Sequence, residues 1–167
     1  IKINSLAKKL CGRNRPGHFE AVADVIDRFI KIIKPNKIYF GEKDMQQLKI
    51  IENFVKKNHI KTKVIGCKTI RENNGMAYSS RNFLLSPKEK LIGSSIYKLI
   101  TKNKKKLIKD NLLKKKIEMD IYKMGACKID DFKILNINKL TKPYKKKIKY
   151  RVFIAYYLKT TRLIDNI

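Results

Sequence analysis

Two short polar stretches contain the side chains best suited to chemistry. The first places Gly41, Glu42, Lys43, Asp44 and Gln47 directly after the apolar run "KIYF". A lysine ammonium at a strand end can meet a phosphate, a carboxylate can accept from a ribose hydroxyl, and a glutamine can bind a neutral or carboxylate substrate. The same residues also fit a solvated loop whose acidic side chains favour the start of a helix. Spacing alone leaves both interpretations open.

The second stretch is "SSRN" at residues 79–82. The hydroxyls of Ser79 and Ser80 together with the Arg81 guanidinium could clamp a triphosphate, with Arg81 neutralising charge on a departing pyrophosphate. The alternative is a serine-rich loop that precedes a capped helix.

Other reactive residue types form no recognisable set. The cysteines Cys11, Cys67 and Cys127 lie far apart and are typical of reduced thiols rather than of a disulfide framework or a zinc site. His18, in "CGRNRPGHF", precedes a helix and fits a structural role, and His59 fits a surface loop. The carboxylates show no metal-ligand spacing, so the residues predict no metal site.

The elements that must position these residues alternate in the N-terminal part. Apolar residues at helical spacing predict a helix over 19–34 that ends at Pro35 and buries one stripe, made of Phe19, Val22, Val25, Ile26, Phe29, Ile32 and Ile33. A strand over 37–40, a helix over 45–57 and a strand over 61–66 follow. This order predicts a parallel sheet with helices packed on it.

The C-terminal part has a different pattern. Asn74-Gly75 predicts a turn, and Ser86, Pro87 and Glu89 predict a capped helix start. That helix should run to about residue 105, and a second should span 112–124 and end at Gly125. Strands over 128–136 and 150–158 complete a small α+β unit. We expect the domain boundary near Thr69, which gives domains 1–69 and 70–167.

The charge admits two explanations. The formal net charge is +27, and 34 of the 41 basic residues are lysine. Clustered lysines can bind a phosphate backbone, but sequence-specific readers rely on arginine, and no nucleic-acid-binding motif is present. Lysine runs such as "KNKKK", "LLKKK" and "YKKKIK" fit solvated faces, so we expect no specific nucleic acid. No apolar window approaches the roughly 18 residues of a membrane span, so no membrane partner is expected.

Four segments together resemble one family. "GRNRPGHFEAVADVI", "KIYFGEKDMQQL", "TIRENNGMAYSSRNFLLS" and "TRLIDN" are similar, in order and spacing, to the C-terminal part of the pantothenate synthetases, or pantoate–β-alanine ligases. The resemblance implies an α/β fold: the C-terminal part of a Rossmann-like nucleotidyltransferase domain, followed by a small α+β lid domain. The chain begins at Ile1 and not at methionine, so we expect a processed or partial product.

The resemblance also implies an activity. In that family ATP and pantoate form pantoyl adenylate with loss of pyrophosphate, and β-alanine then attacks the acyl carbon to give pantothenate and AMP. By resemblance, the ATP-site residues are Gly41, Glu42, Lys43, Asp44, Ile70, Tyr78, Ser79, Ser80 and Arg81, with Lys43 and Arg81 catalytic. Gln47 corresponds to a pantoate contact. Mg²⁺ with ATP, a cytoplasmic location and a homodimer of the full-length enzyme are further implications.

Some family features have no match in this sequence. The His-x-Gly-His segment that serves adenylation is missing, and so is the family's other pantoate-binding glutamine; Tyr78 stands where the family has an apolar residue. We therefore expect this segment alone to form no pantothenate. Two alternatives stay open: a lysine-rich nucleic-acid-binding module, and a related nucleotidyltransferase with another acceptor.

Overall fold

The computed structural model describes Ile1 and residues 3–138, 140–141 and 149–167. Backbone contacts divide the chain into an N-terminal unit, Ile1–Lys68, and a C-terminal unit, Thr69–Ile167. The first contains a parallel strand pair with helices and the second an antiparallel sheet with helices, which confirms the predicted α/β class. Within the described ranges, no helix combines the length and apolar character that crossing a membrane requires.

The N-terminal unit is a βαβ arrangement preceded by a helix. After two 3₁₀ turns come helix α1 (His18–Ile33), strand β1 (Lys37–Gly41), helix α2 (Met45–Lys57) and strand β2 (Lys63–Cys67). The strands run parallel, with Lys37 opposite Lys63 and Gly41 opposite Cys67. Helix α2 has the bounds that its apolar spacing predicts, because the run from Met45 to Val55 offers one continuous face for burial.

One apolar cluster holds the N-terminal unit together. Its buried members are Ala23 and Ile30 of α1 and Ile51, Phe54 and Val55 of α2. From the strands, Ile38, Phe40 and Val64 pack against this cluster. Alternation along β1 sends Tyr39 to the other side, where 64% of its surface is exposed. The helices therefore cover the Ile38–Phe40 face of the strand pair.

Helix α1 corrects the prediction of a single buried stripe. Phe19 is buried, and Val22 and Ile26 pack beside Ala23 and Ile30 as predicted from the helical period. Four other members of the predicted stripe, Val25, Phe29, Ile32 and Ile33, are between 47% and 77% exposed. The apolar face of the helix is wider than one stripe, and α2 and the strands of its own unit cover only part of it. We call the uncovered four residues the second stripe.

The C-terminal unit packs two helices on a three-stranded antiparallel sheet. Helices α3 (Pro87–Leu107) and α4 (Asn111–Met124) precede strands β3 (Lys128–Asn136), β4 (Tyr150–Leu158) and β5 (Thr161–Asn166), in the sheet order β3-β4-β5. The two strands predicted by pattern are confirmed. The core joins isoleucines of both helices to alternate residues of the sheet, and its fully covered members include Ile96, Ile100, Ile117, Ile121, Val152 and Leu158.

The start of α3 and the end of α4 follow the predicted capping chemistry. Ser86 Oγ accepts from the Glu89 N–H at 3.3 Å, and the Glu89 carboxylate accepts from the Ser86 N–H at 2.8 Å, which completes the capping box before Pro87. Gly125 ends α4 with a φ of 116°, a conformation that favours glycine. Both boundaries are set by local residue chemistry, and this explains why the sequence predicts them closely.

Ser86→Ala should lower the free energy of unfolding of the C-terminal unit by about 0.5–2 kcal/mol, the usual cost of losing a helix N-cap. The exposed Ser95 in the middle of the same helix is the matched control, because Ser95→Ala removes a hydroxyl without removing a cap. Urea denaturation followed by circular dichroism measures both. Equal stabilities for the two variants would contradict the capping role.

Candidate functional site

The first candidate group lies where β1 passes into α2. Gly41 ends the strand opposite Cys67, Glu42–Asp44 form one 3₁₀ turn, and α2 begins at Met45. The turn therefore sits at the carboxyl end of a parallel strand pair, the edge at which open α/β sheets bind ligands. Local chemistry explains the arrangement, since the alternating strand ends at glycine and the apolar helical spacing starts directly after the turn.

Lys43 and Asp44 have different exposure within this turn. The Lys43 side chain is 17% exposed and its Nζ lies 4.0 Å from Asp44 Oδ2, whereas the Asp44 side chain is 52% exposed. A fully solvated loop does not describe Lys43, because most of its side chain is covered. Coverage alone does not set it apart, however, since Lys49 of α2 is 14% exposed and pairs with Glu52 at 2.7 Å. What distinguishes Lys43 is its place at the strand end.

The two glutamines of α2 face different surroundings. Gln47, the predicted pantoate contact, is half-buried. Gln46 is buried, and its Nε2 donates to the carbonyls of Leu6 at 2.8 Å and Lys9 at 2.5 Å. Gln46 thereby ties the N-terminal 3₁₀ turns to the first turn of α2. Gln46 has no role in the predicted site, and its only signal in the sequence is a polar residue among the buried positions of the helix.

Gly66 of β2 lets the turn and helix α2 approach the strands closely. A Cβ at Gly66 would lie 2.9 Å from Leu48 Cδ2, so the Leu48 side chain would have to shift, and 3.5 Å from Glu42 Cγ, an ordinary van der Waals contact. Gly41 differs, since a Cβ there would meet nothing within 4 Å among the described residues. Glycine at position 41 is thus not required by the packing of its own unit.

The second candidate group lies at the start of the C-terminal unit. The Tyr78 N–H donates to the Ile70 carbonyl at 2.9 Å, and Arg71 forms an isolated antiparallel bridge with Ala77. Ser79 then caps a 3₁₀ turn over Ser80–Leu84 by accepting from the Arg81 N–H at 3.3 Å. Ile70, Tyr78, Ser80 and Arg81 are exposed and Ser79 is half-buried.

A tight turn closes the hairpin that leads to these residues. Gly75 has a φ of 94°, its N–H donates to the Glu72 carbonyl at 2.8 Å, and a Cβ there would lie 2.4 Å from the ring of Tyr97. The predicted turn at Asn74-Gly75 is confirmed, and glycine is required both by the backbone conformation and by the ring against it.

Arg71 anchors the same hairpin to the last strand. Its guanidinium donates to both Asp165 oxygens at 2.7 and 3.0 Å and to the Gly75 carbonyl at 3.0 Å, and its Cζ lies 4.4 Å from the centre of the Tyr97 ring. Burial acts to lower the pKa of Arg71, but the hydrogen bonds and charge of Asp165 outweigh it and the pKa is raised. The guanidinium therefore stays charged at every working pH.

The candidate residues thus form two groups, one in each unit. Gly41, Glu42, Lys43, Asp44 and Gln47 are neighbours in the N-terminal unit, and Ile70 with residues 78–81 are neighbours in the C-terminal unit. The supporting residues Gln46, Gly66 and Arg71 are absent from the predicted site. Their contacts join segments far apart in sequence, and no local pattern marks Gly66 or Arg71.

His18 lies beside the first group. It opens α1, its ring centre is 5.0 Å from that of Phe19, and it feels the charges of Arg15 and Asp44. Burial lowers the pKa of His18 below 6.5, Arg15 lowers it further, and Asp44 acts in the opposite direction. The neutral imidazole is therefore favoured in the folded chain.

A metal is not held by a ready-made cluster in the described part of the chain. Nowhere among these residues do three or more histidine, cysteine or acidic side chains come close enough to bind one ion. Glu42 and Asp44 are the carboxylates nearest in sequence to Lys43 and could supply at most a partial ligand set.

Comparison with known proteins gives a consistent result. A family model described as pantoate-beta-alanine ligase matches residues 1–167. The pantothenate synthetase of Clostridioides difficile is 40% identical over 99% of this chain, and that of Azobacteroides pseudotrichonymphae is 41% identical over 100%. The chain spans 60% and 61% of the length of these two relatives.

Solved structures resemble the chain over its whole length. A pantothenate synthetase from Thermus thermophilus has a TM-score of 0.87 at 27% identity, and the match covers 62% of that chain. A pantoate-beta-alanine ligase from Francisella tularensis, complexed with beta-gamma ATP and beta-alanine, has a TM-score of 0.75 at 32% identity and is covered over 58% of its length.

Titration of His18 tests the electrostatics of the first group. We expect an NMR midpoint below 6.5 that rises in Arg15→Ala yet stays below 6.5, because burial is the larger cause. Asp44→Asn should lower the midpoint further. Since protonation disfavours the folded state, His18 should contribute stability above pH 6.5 that is lost as pH falls below it. A midpoint at or above 6.5 would contradict this environment.

Proposed function

Because the chain belongs to the pantoate-beta-alanine ligase family, we propose that it forms the nucleotide- and pantoate-binding part of an enzyme that condenses pantoate with β-alanine. The observation that carries this proposal is the match of the family model to residues 1–167. The position of "GEKD" at the carboxyl end of β1 supports it. A nucleic-acid-binding module is not favoured, because no part of the chain is left outside the match.

The proposed reaction has two steps. A pantoate carboxylate oxygen attacks the α-phosphorus of ATP, the bond to the β-phosphate oxygen breaks, and pyrophosphate leaves. The β-alanine amine then attacks the acyl carbon of pantoyl adenylate, loses a proton and expels AMP, which leaves pantothenate. Both steps depend on holding charged groups together, so the protein contributes position and compensating charge.

In this proposal each group of residues has a separate task. Lys43 directs its ammonium to the phosphates, the exposed Asp44 accepts from the ribose, and Gln47 binds pantoate. Gly41 and Glu42 line the nucleotide, and Ile70 and Tyr78 lie against it. Ser79, Ser80 and Arg81 bind the phosphates, with Arg81 meeting the charge of the leaving pyrophosphate.

Further features belong to the proposal. The Francisella tularensis relative was solved with beta-gamma ATP and beta-alanine, which supports ATP and β-alanine as ligands. Mg²⁺ would enter with ATP, held mainly by phosphate oxygens and neutralising their charge, as Mg²⁺ commonly is where a protein offers one or two carboxylates. We place the enzyme in the cytoplasm and infer a homodimer for its full-length form.

A chimera tests the proposed function directly. The family resemblance places the chain in the C-terminal part of such enzymes, so the chain would be joined to the N-terminal part of the Clostridioides difficile relative, of which the match covers 60%. We expect pantothenate formation from ATP, pantoate and β-alanine, and none from the 167-residue chain alone. A folded chimera that uses another acid or amine in preference would favour the related nucleotidyltransferase, and a folded chimera with no adenylation activity would reject the proposal.

Lys43→Ala in this chimera should lower the rate of pantoate-dependent pyrophosphate exchange by about 10²-fold, the usual cost of one charged contact to a transition state. Lys49→Ala is the matched control, since it removes a lysine of α2 that is covered to a similar extent. Thermal denaturation should show both variants folded. Pyrophosphate exchange that is undiminished in Lys43→Ala would remove the role assigned to Lys43.

A further inference from the structure

The loop at residues 78–81, exposed except for the half-buried Ser79, is flanked by buried residues. Met76 and Ala77, which precede it, are 5% and 7% exposed, and Asn82 and Leu85, which follow it, are 4% and 6% exposed. A short segment with polar exposed side chains is thus fixed at both ends. The contacts that fix it belong to residues without a role in the predicted site.

Asn82 closes the loop with a single amide group. Its Nδ2 donates to the Ala77 carbonyl at 3.1 Å, on the other side of the loop, and to Glu72 Oε1 at 2.6 Å. Because Asn82 is buried, losing either acceptor would leave a donor without water to replace it, at a cost of about 1–3 kcal/mol. The geometry therefore favours one loop conformation over the alternatives.

Glu72 is itself held in place. Its second oxygen accepts from Asn74 Nδ2 at 3.1 Å, and its N–H donates to the Met76 carbonyl at 2.8 Å. Helix α3 fixes the turn through Ser94 Oγ, which donates to the Asn74 carbonyl at 2.7 Å. The chain of contacts runs from α3 through the turn to Glu72 and Asn82, and ends at the exposed loop.

We propose that Asn82 and Glu72 are positioning residues that hold Ser79, Ser80 and Arg81 in the conformation that receives the phosphates. The inference rests on the proposed function, which assigns phosphate binding to this loop. A preformed loop presents its hydroxyls and N–H groups without ordering cost at the moment of binding, and displacement by about 1 Å can cost 10²-fold in rate.

NMR on the ¹⁵N-labelled chain measures both order and binding. In Asn82→Ala the heteronuclear NOE of the amides of residues 79–81 should fall, and the Kd for pyrophosphate, taken from shifts of those amides at about 0.15 M NaCl, should rise roughly tenfold or more. Asn103→Ala is the matched control, since it removes an amide that donates to the Leu99 carbonyl at 2.9 Å, outside the loop. It should change neither quantity.

If the Asn82→Ala variant unfolds, exchanging the amide of Asn82 and the carboxylate of Glu72 provides a second test. Asn82→Asp sets two carboxylates against each other and should mobilise the loop. Glu72→Gln combined with Asn82→Asp lets the new amide donate to the new carboxylate, and should recover part of the order and affinity. Recovery stays partial because the introduced carboxylate cannot donate to the Ala77 carbonyl. A double variant no better than Asn82→Asp would overturn the pairing.

The remaining outcomes separate the inference from the proposed function. Pyrophosphate binding by the wild type, with a mobile loop but unchanged Kd in Asn82→Ala, would overturn the positioning role and leave the proposed function intact. No saturable shift at residues 79–81 in the wild type would contradict the phosphate role and the inference with it. In the chimera, Asn82→Ala should lower kcat for adenylation and leave KM for pantoate unchanged. If kcat and KM changed by the same factor, the effect would be a general structural one and the positioning role would be overturned.

Discussion

Arg71 joins the beginning of the C-terminal unit to its last strand, and the candidate phosphate loop depends on that junction. Its fork takes both oxygens of Asp165, 94 residues away, while Tyr97 covers its face. Closing so long a segment costs on the order of 4 kcal/mol in chain entropy. Two hydrogen bonds between charged groups, each worth about 1.5–3 kcal/mol, are of the same size. Burial of the apolar core also offsets this loss of chain entropy. The particular contribution of the ion pair is therefore to fix the position of the hairpin.

The parts of the fold that the sequence predicts are those decided within a few residues. The bounds of α2 follow from its apolar spacing, the start of α3 from its capping box, and the end of α4 from Gly125. Periodicity shows which side chains of α1 are apolar but not which of them meet a partner, so the exposed second stripe could not be foreseen. The burial of Val22 and Ile26 beside the exposure of Val25 is decided by tertiary packing.

The candidate site shows the same division. Residue types and spacing were also compatible with ordinary solvated loops at "GEKD" and "SSRN", and only the family resemblance assigned these residues roles. The structure adds that Lys43 is largely covered at a strand end. The supporting contacts of Gln46, Arg71 and Asn82 connect positions between 4 and 94 residues apart. Hydrogen bonds over such separations leave no period in a sequence, and for this reason they appear only in three dimensions.

The lysine excess has local structural uses. Lys104, Lys114 and Lys128 place their ammonium groups between 5.4 and 5.9 Å from the ring centres of Tyr150, Phe132 and Tyr157. Lys104 is half-buried, and this burial, followed by the charge of Arg151, lowers its pKa. The run "KNKKK" lies in the last turns of α3, where cations are favoured, and "LLKKK" lies in α4. Most of "YKKKIK" lies outside the described residues.

The net charge also bears on the second stripe of α1, because it opposes contact between the exposed apolar surfaces of two copies. Contact between two copies at Val25, Phe29, Ile32 and Ile33 would remove exposed apolar surface from water, and a net charge of +27 opposes their approach. The repulsion extends about 8 Å at physiological salt but only about 3 Å at 1 M salt. Such contact should become more favourable as ionic strength rises, because salt screens the charge that opposes it.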